Sequence, residues 1–400
     1  MANRRRFLGL AGTLGLFGAC QSPEGTPSSE APSRLGSPVS AYGERSRFET
    51  VARAMRTVKN PEVSSSRTPL ASTHGVITPS SLHFERHHSG VPDIDPEKHR
   101  LVIHGLVERP MLFSVADLRR LPSVSRVYFV ECSGNSGGEW GPNRGPTVDA
   151  SHGLASCSEW TGVPLKTVLE EVGLQPEAKW LLAEGGDACR MSRSVPLEKA
   201  LDDALVAYGQ NGEAIRPSQG YPLRLILPGW EGNANVKWLH RILVGDQPFM
   251  TKDETSKYTE LMPDGSAWQF TFAMDAKSVI TEPSGGQTLP GPGFYEVRGL
   301  AWSGRGRIEK VEVSTDGGST WSEALLQEPR FPKAFTRFRF PWQWTGQEST
   351  LLSRCQDDTG YLQPTVEELI ATRGTSSAYH NNGQKAWTVT SGGTVGPASV

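Results

Sequence analysis

The chain has 400 residues, of which 43 are acidic and 41 basic, for a formal net charge of −2. That balance excludes charge-driven binding to nucleic acid or to a membrane surface as its main activity. Single hydrophobic cores stop growing at roughly 250–300 residues, so two domains are expected, and 43 Gly, 29 Pro and 11 Trp predict a strand- and loop-rich protein with well-packed cores.

Residues 1–20 read as an address. Arg4, Arg5, Arg6, Phe7 and Leu8 lead into FLGLAGTLGLFGA, an apolar run too short to span a bilayer. The order R-R-x-F-L resembles a twin-arginine export signal and predicts a periplasmic protein; the alternative is a basic terminus on a buried helix. LFGAC also resembles a lipoprotein cleavage box, with Cys20 as the acylated residue and a lipid anchor there as the one expected membrane contact. Residues 21–70, rich in Ser, Pro and Arg, read as tether and lead-in, with a short helical stretch around RFETVARAMRTV.

Residues 71–265 mix strand and helix patterns and predict an α+β domain with much irregular loop. Ser114 is placed to cap a helix over SVADLRRL. VPLKTVLEEVGL has Pro164 at a helix start, apolar residues at 165, 168, 169 and 172, and Gly173 as a stop. KWLLAEGGD, EKALDDALVAYGQNGE, YPLRLILPGWEG and VKWLHRILVGD continue the mixed pattern, and a linker around 250–275 leads into a second region. Over 266–390 the pattern turns to alternating strands with tight turns, including Asp316-Gly317-Gly318, which predicts an immunoglobulin-like β-sandwich; 391–400 is a tail. Chemistry is therefore expected in the first domain.

The strand VYFVEC stops at Cys132 and opens into Ser133, Gly134, Asn135, Ser136, Gly137 and Gly138. Small residues leave the backbone beside a thiol open to a large ligand, while a buried small hydrophobe is the ordinary alternative. Cys157, Cys189 and Cys355 read as structural, paired or not. The cysteine spacings fit neither a C-x-x-C zinc pattern nor a C-x-x-C-H haem attachment, so redox chemistry here needs a separate electron carrier. His83 and His87, four apart, offer a zinc alternative, against which the Pro-containing SGVPDIDP that follows disfavours a helix.

HFERHHSGVPDIDP (83–96), VECSGNSGGEW (130–140), SCSEWTGVPLKTVL (156–169), the run from Ala207 to Ile242, and DGGSTW (316–321) occur in that order. Together they resemble the sulfite oxidase family of molybdopterin enzymes from about Ser80 to Trp387. GLAWSGRGRIEKVEVSTDGG, TSKYTELMPDG and RGTSSAYHNN are most similar to the branch formed by the molybdenum subunit of sulfane dehydrogenase of the bacterial sulfur-oxidising (Sox) system.

The resemblance implies a molybdopterin-binding domain followed by a dimerisation sandwich, and a cofactor of Mo-molybdopterin. It implies molybdenum bound by Cys132 and catalytic roles for Arg86, Cys132 and Tyr258. Phe84, Arg86, His87, His88, Asp187, Gln219, Arg224, Asn235, Val236 and Lys237 would hold the pterin and its phosphate. His87 stands where the family has Asn, and Gln219 where animal members have His. Taken alone, Arg224 reads as an outward strand residue, Asp187 as a turn former and Tyr258 as a packed linker residue. The arginine that animal members carry just after C-x-G-N is missing, since Ser136 and Gly137 occupy that stretch.

The implied activity is oxidation of a sulfur compound, protein-bound sulfane sulfur or sulfite, by oxygen-atom transfer. Electrons would leave to a separate c-type cytochrome, a dihaem subunit, and the assembly would be a homodimer or heterotetramer served by a sulfur carrier protein. A stand-alone periplasmic sulfite dehydrogenase and a cofactor-free, lipid-anchored scaffold are the alternatives.

Overall fold

The computed structural model describes residues 36, 38–56, 58–141, 144–376 and 379–398. The expected export signal and Cys20 lie outside these residues. The stretch up to Thr50 separates from a compact unit spanning Val51–Val400, and its described residues carry no helix or strand.

The helix expected around RFETVARAMRTV does not form over the described residues. Strand Ala54–Met55 pairs instead with Ser65–Arg67, which pairs in turn with Glu85–Arg86. An isolated short helix is marginal in water, and pairing that buries Ser65, Ser66 and Leu70 wins over local propensity. The later part of the expected lead-in, from Val51 on, is thus part of the fold rather than a tether. Arg53 ties it down through the His83 carbonyl at 3.2 Å and an ion pair with Glu85.

Two five-stranded sheets build the first domain. One runs in the order Glu213–Ala214, Leu205–Gln210, Ala155–Pro164, Val124–Glu131, with Arg224–Ile226 also on Leu205–Gln210. The other runs Met111–Phe113, Leu101–Gly105, Leu239–Gly245, Trp180–Gly185, Ser192–Pro196, antiparallel except where Leu101–Gly105 meets Leu239–Gly245. Helix Leu165–Val172 buries Leu165, Val168, Leu169 and Val172 into the shared core and stops at Gly173, whose φ of 67° suits a residue without a Cβ. Helix Val115–Arg119 opens with a capping box between Ser114 and Asp117.

The second domain is a sandwich of a four-stranded sheet (Lys277–Glu282, Gly293–Trp302, Thr336–Trp344, Leu325–Leu326) and a five-stranded one (Ser322–Glu323, Ile308–Ser314, Ser349–Asp357, Ala386–Val389, Val395–Pro397). Trp302, Trp344, Trp387 and Phe338 fill it. The turn at Gly317 (φ 75°) and Gly318 (φ 91°) lies between Ile308–Ser314 and Ser322–Glu323.

Strand Val124–Glu131 joins the domains. Its side chains alternate, so Phe129 enters the sandwich core while Val130 enters a smaller core with Phe84 and Trp160. A one-residue slip would exchange those faces, so the register that delivers Cys132 at the strand end is fixed from both sides.

Candidate active site

Cys132 is held by its backbone: its N–H donates to the Leu154 carbonyl at 2.9 Å, and its carbonyl accepts from the Asn135 N–H at 2.8 Å. Asn135 locks the turn, its amide oxygen accepting from the Leu154 N–H and its amide nitrogen donating to Glu131. Ser136 completes the turn at a left-handed φ of 62°. The loop over Gly229–Asn235 presses against this turn, and a Cβ at Gly232 would sit 2.8 Å from the Glu131 carbonyl oxygen and 3.3 Å from Cys132 Cα. Only glycine allows that approach.

A cavity opens at Cys132. It is lined by all the residues expected from the motifs: Phe84, Arg86, His87, His88, Cys132, Asp187, Gln219, Arg224, Asn235, Val236, Lys237 and Tyr258. Met191, Gly232, Asn233 and Trp238 also line it and were not anticipated.

Two cations line the cavity, Arg224 buried and Lys237 half-buried. Arg224, far from pointing outward on its strand, is 3% exposed and donates to the Gln219 carbonyl, the Gln219 side-chain oxygen at 3.0 Å and the Asn235 carbonyl, while its guanidinium lies 5.1 Å from the Trp160 ring. Lys237 Nζ donates to His87 Nδ1 at 2.9 Å and to the carbonyls of Ser218 and Arg86. Among the described residues, neither cation has a carboxylate within ion-pair distance. Burial pulls Arg224 down to about 9; burial and then Arg224 pull Lys237 down to about 7.

His87 resolves its substitution for Asn: its Nδ1 accepts from Lys237, so its Nε2–H donates to Glu85 at 3.0 Å, and burial favours this neutral ring. Gln219 bridges Arg224 and the Phe84 carbonyl. The Asn235 amide is spent on its own loop, at the Leu227 N–H and the Trp230 and Glu231 carbonyls. Asp187 does form a turn, to the Arg190 N–H, and also lines the cavity with one carboxylate oxygen lacking a partner among the described residues; so does the side-chain oxygen of Asn233.

Near Cys132, Arg86 and Tyr258 complete the lining. The Tyr258 ring lies 4.5 Å from the Arg193 guanidinium and 5.5 Å from Tyr379, a residue of the second domain's RGTSSAYHNN segment that comes within 3.9 Å of a Cβ built on Gly134. Burial, then Cys132 and Glu231, raise the Tyr258 phenol well above its ordinary value, so it stays a proton donor. Burial likewise raises the Cys132 thiol, and a thiolate there calls for a cation beside it.

Among the described residues Cys132, Cys157, Cys189 and Cys355 form no disulfide. His83 is fully buried between Phe84 and Trp160, and no group of three or more His, Cys, Asp or Glu gathers in metal-ligating geometry among the described residues.

These donors and acceptors match in kind what a molybdopterin presents: a phosphate for two uncompensated cations, pterin N–H groups for orphaned oxygens, and a soft metal for a thiolate. The chain matches the oxidoreductase molybdopterin binding domain over residues 88–252 and the Mo-co oxidoreductase dimerisation domain over residues 268–385. The solved structure of the sulfane dehydrogenase SoxCD from Paracoccus pantotrophus is similar at a TM-score of 0.90 and 45% identity, covering 92% of this chain and 96% of that chain. NADH nitrate reductases are more distant: 33% identical over 304 residues in Solanum lycopersicum (68% of this chain, 33% of the relative) and 33% over 349 residues in Ulva prolifera (73% and 38%). The chain spans about a third of the length of these curated relatives. It belongs to the sulfite oxidase family of molybdopterin oxidoreductases, with Mo-molybdopterin as its cofactor and a Mo-co dimerisation domain as its second domain.

Proposed function

We propose that the chain oxidises carrier-bound sulfane sulfur by oxygen-atom transfer in the periplasm and passes the electrons to a separate c-type cytochrome subunit. The observation that carries the site is one cavity lined both by two cations without a carboxylate partner among the described residues, Arg224 and Lys237, and by Cys132, Arg86 and Tyr258. The choice of substrate rests on the 45% identity to a sulfane dehydrogenase across nearly the whole chain. Matches to both domains set the cofactor-free scaffold aside.

When bound, the molybdenum supplies a two-electron oxygen-atom transfer to sulfur. Cys132 would hold the metal through its thiolate. Arg224 and Lys237 would take the pterin phosphate, with Gln219 and His87 fixing their side chains from behind. Arg86 offers a planar fork of donors to a sulfur oxyanion. Tyr258, kept neutral by burial and flanked by Arg193, donates a hydrogen bond at the reacting end and can return a proton there. Ser136 and Gly137, in place of a second arginine, leave a less cationic approach, which suits a substrate carried on a protein better than a small free dianion.

Partner and location follow from the same reading. Without a haem-attachment motif the electrons need a second protein, and Arg4 to Leu8 with the apolar run point to twin-arginine export, with or without acylation at Cys20. The test is turnover of purified enzyme with cytochrome c as acceptor, offered either sulfite or a sulfane-loaded carrier protein. Carrier-dependent turnover supports the proposal, and rapid oxidation of free sulfite alone identifies a stand-alone sulfite dehydrogenase.

A further inference from the structure

Asp187 is a buried carboxylate, 6% exposed, without an ion-pair partner among the described residues. Its two oxygens are treated differently. Oδ2 accepts from Ser89 Oγ at 3.1 Å and from the Cys189 thiol at 2.8 Å. Ser89 Oγ in turn accepts from the Cys189 N–H at 3.0 Å, closing a triangle of three residues. Oδ1 has no partner among the described residues and lies beside Gly185, where a built Cβ would be 3.4 Å from it and 3.5 Å from the cavity residue Val236. The triangle is fixed at both ends: Arg190, at a left-handed φ of 47°, donates its N–H to the Asp187 carbonyl, and Ser89 follows directly on the His87-His88 stretch of the cavity wall.

We propose that Ser89 and Cys189 are positioning residues that saturate one oxygen of Asp187, so that the other is held free and oriented toward an N–H donor of the pterin. The proposal rests on the reading of Asp187 as a pterin contact. An acceptor left unsatisfied in a buried wall is costly, and fixing its direction from behind keeps that cost for the ligand to relieve. Burial, and then Asp187 itself, push the Cys189 thiol up to about 11, so it remains a donor at neutral pH. This gives a role to a cysteine that is neither in a disulfide nor beside Cys132, and it makes the donated hydrogen, rather than sulfur chemistry, the property that matters.

The test is cofactor retention. Wild type and the variants D187A, S89A, C189A and C189S are purified from a molybdenum-replete host, and molybdenum and pterin per chain are followed through prolonged dialysis, with circular dichroism melting as the fold control. S89A and C189A are expected to lose cofactor about tenfold faster than wild type, and C189S, which keeps a donor, to hold it like wild type. Full retention by D187A would remove Asp187 from the pterin site and the proposal with it. Loss from D187A alone, with S89A and C189A retaining cofactor, overturns the positioning role while leaving Asp187 in place. Equal loss from C189A and C189S also overturns it, since packing rather than donation would then be at work.

Discussion

Two sets of cations, buried except for the half-buried Lys237, sit within this molecule, and they differ in what neutralises them. At the seam between the domains Lys277 meets Glu131 at 2.5 Å and Lys385 meets Glu139 at 2.7 Å, and within the first domain beside it Arg193 meets Glu254 at 2.9 Å and Glu231 at 2.8 Å. Each carboxylate takes further donors: Glu131 also accepts from the Trp302 indole and Asn135, and Glu231 from Asn233 and His380. Burial would raise Glu231, but Arg193 and His380 hold it down to about 2. In the cavity, by contrast, Arg224 and Lys237 have neutral hydrogen-bond partners and no carboxylate at ion-pair distance among the described residues, and their affinities for protons fall. Burying a charge without its counter-charge is costly. The seam is balanced within the chain and serves the fold; the cavity is left unbalanced for an anionic ligand to complete.

The comparison can be broken at either side. The largest effect is expected where the cavity meets the chemistry: C132S should abolish turnover with cytochrome c, because an oxygen ligand changes both the potential and the geometry of the metal. Next, K277M should cost the fold about 3–5 kcal/mol, measured by denaturant unfolding, because Glu131 is left buried and uncompensated. R224M should do the opposite to the apoprotein, raising its melting temperature or leaving it unchanged. In the same variant, cofactor affinity should fall about 10–100-fold, from the loss of a charged hydrogen bond worth roughly 1.5–3 kcal/mol. A lowered apoprotein stability in R224M would erase the distinction between the two sets.

The smallest effect is a pH dependence. Burial and then Arg224 pull Lys237 down to about 7, below its ordinary 10.5, and a phosphate beside it favours its charged form. Binding above pH 7 must therefore take up a proton, so cofactor affinity should fall as pH rises through 7, by less than about tenfold per unit. K237M should flatten that slope in a cofactor-uptake titration.

Much of the cavity was legible in the sequence because its members sit in short contiguous motifs, as Phe84 to His88 and Asn235 to Lys237 do. Local chemistry also announced the Ser114 cap, the helix ending at Gly173 and the turn at Asp316. What stayed hidden depends on contacts between distant parts of the chain. Ser89 and Asp187 are 98 positions apart, and nothing near Cys189 announces its hydrogen bond. Tyr379 reaches Tyr258 from the other domain. The lead-in misled for the same reason, since its helical propensity was overruled by pairing with Ser65–Arg67. The outward reading of Arg224 failed because strand alternation cannot tell solvent from an internal cavity.

The most direct test of the central claim is molybdenum X-ray absorption of the loaded protein, comparing wild type with C132A. The account predicts one sulfur neighbour fewer around molybdenum in the variant, with the pterin still bound through Arg224 and Lys237. An unchanged sulfur shell would contradict it.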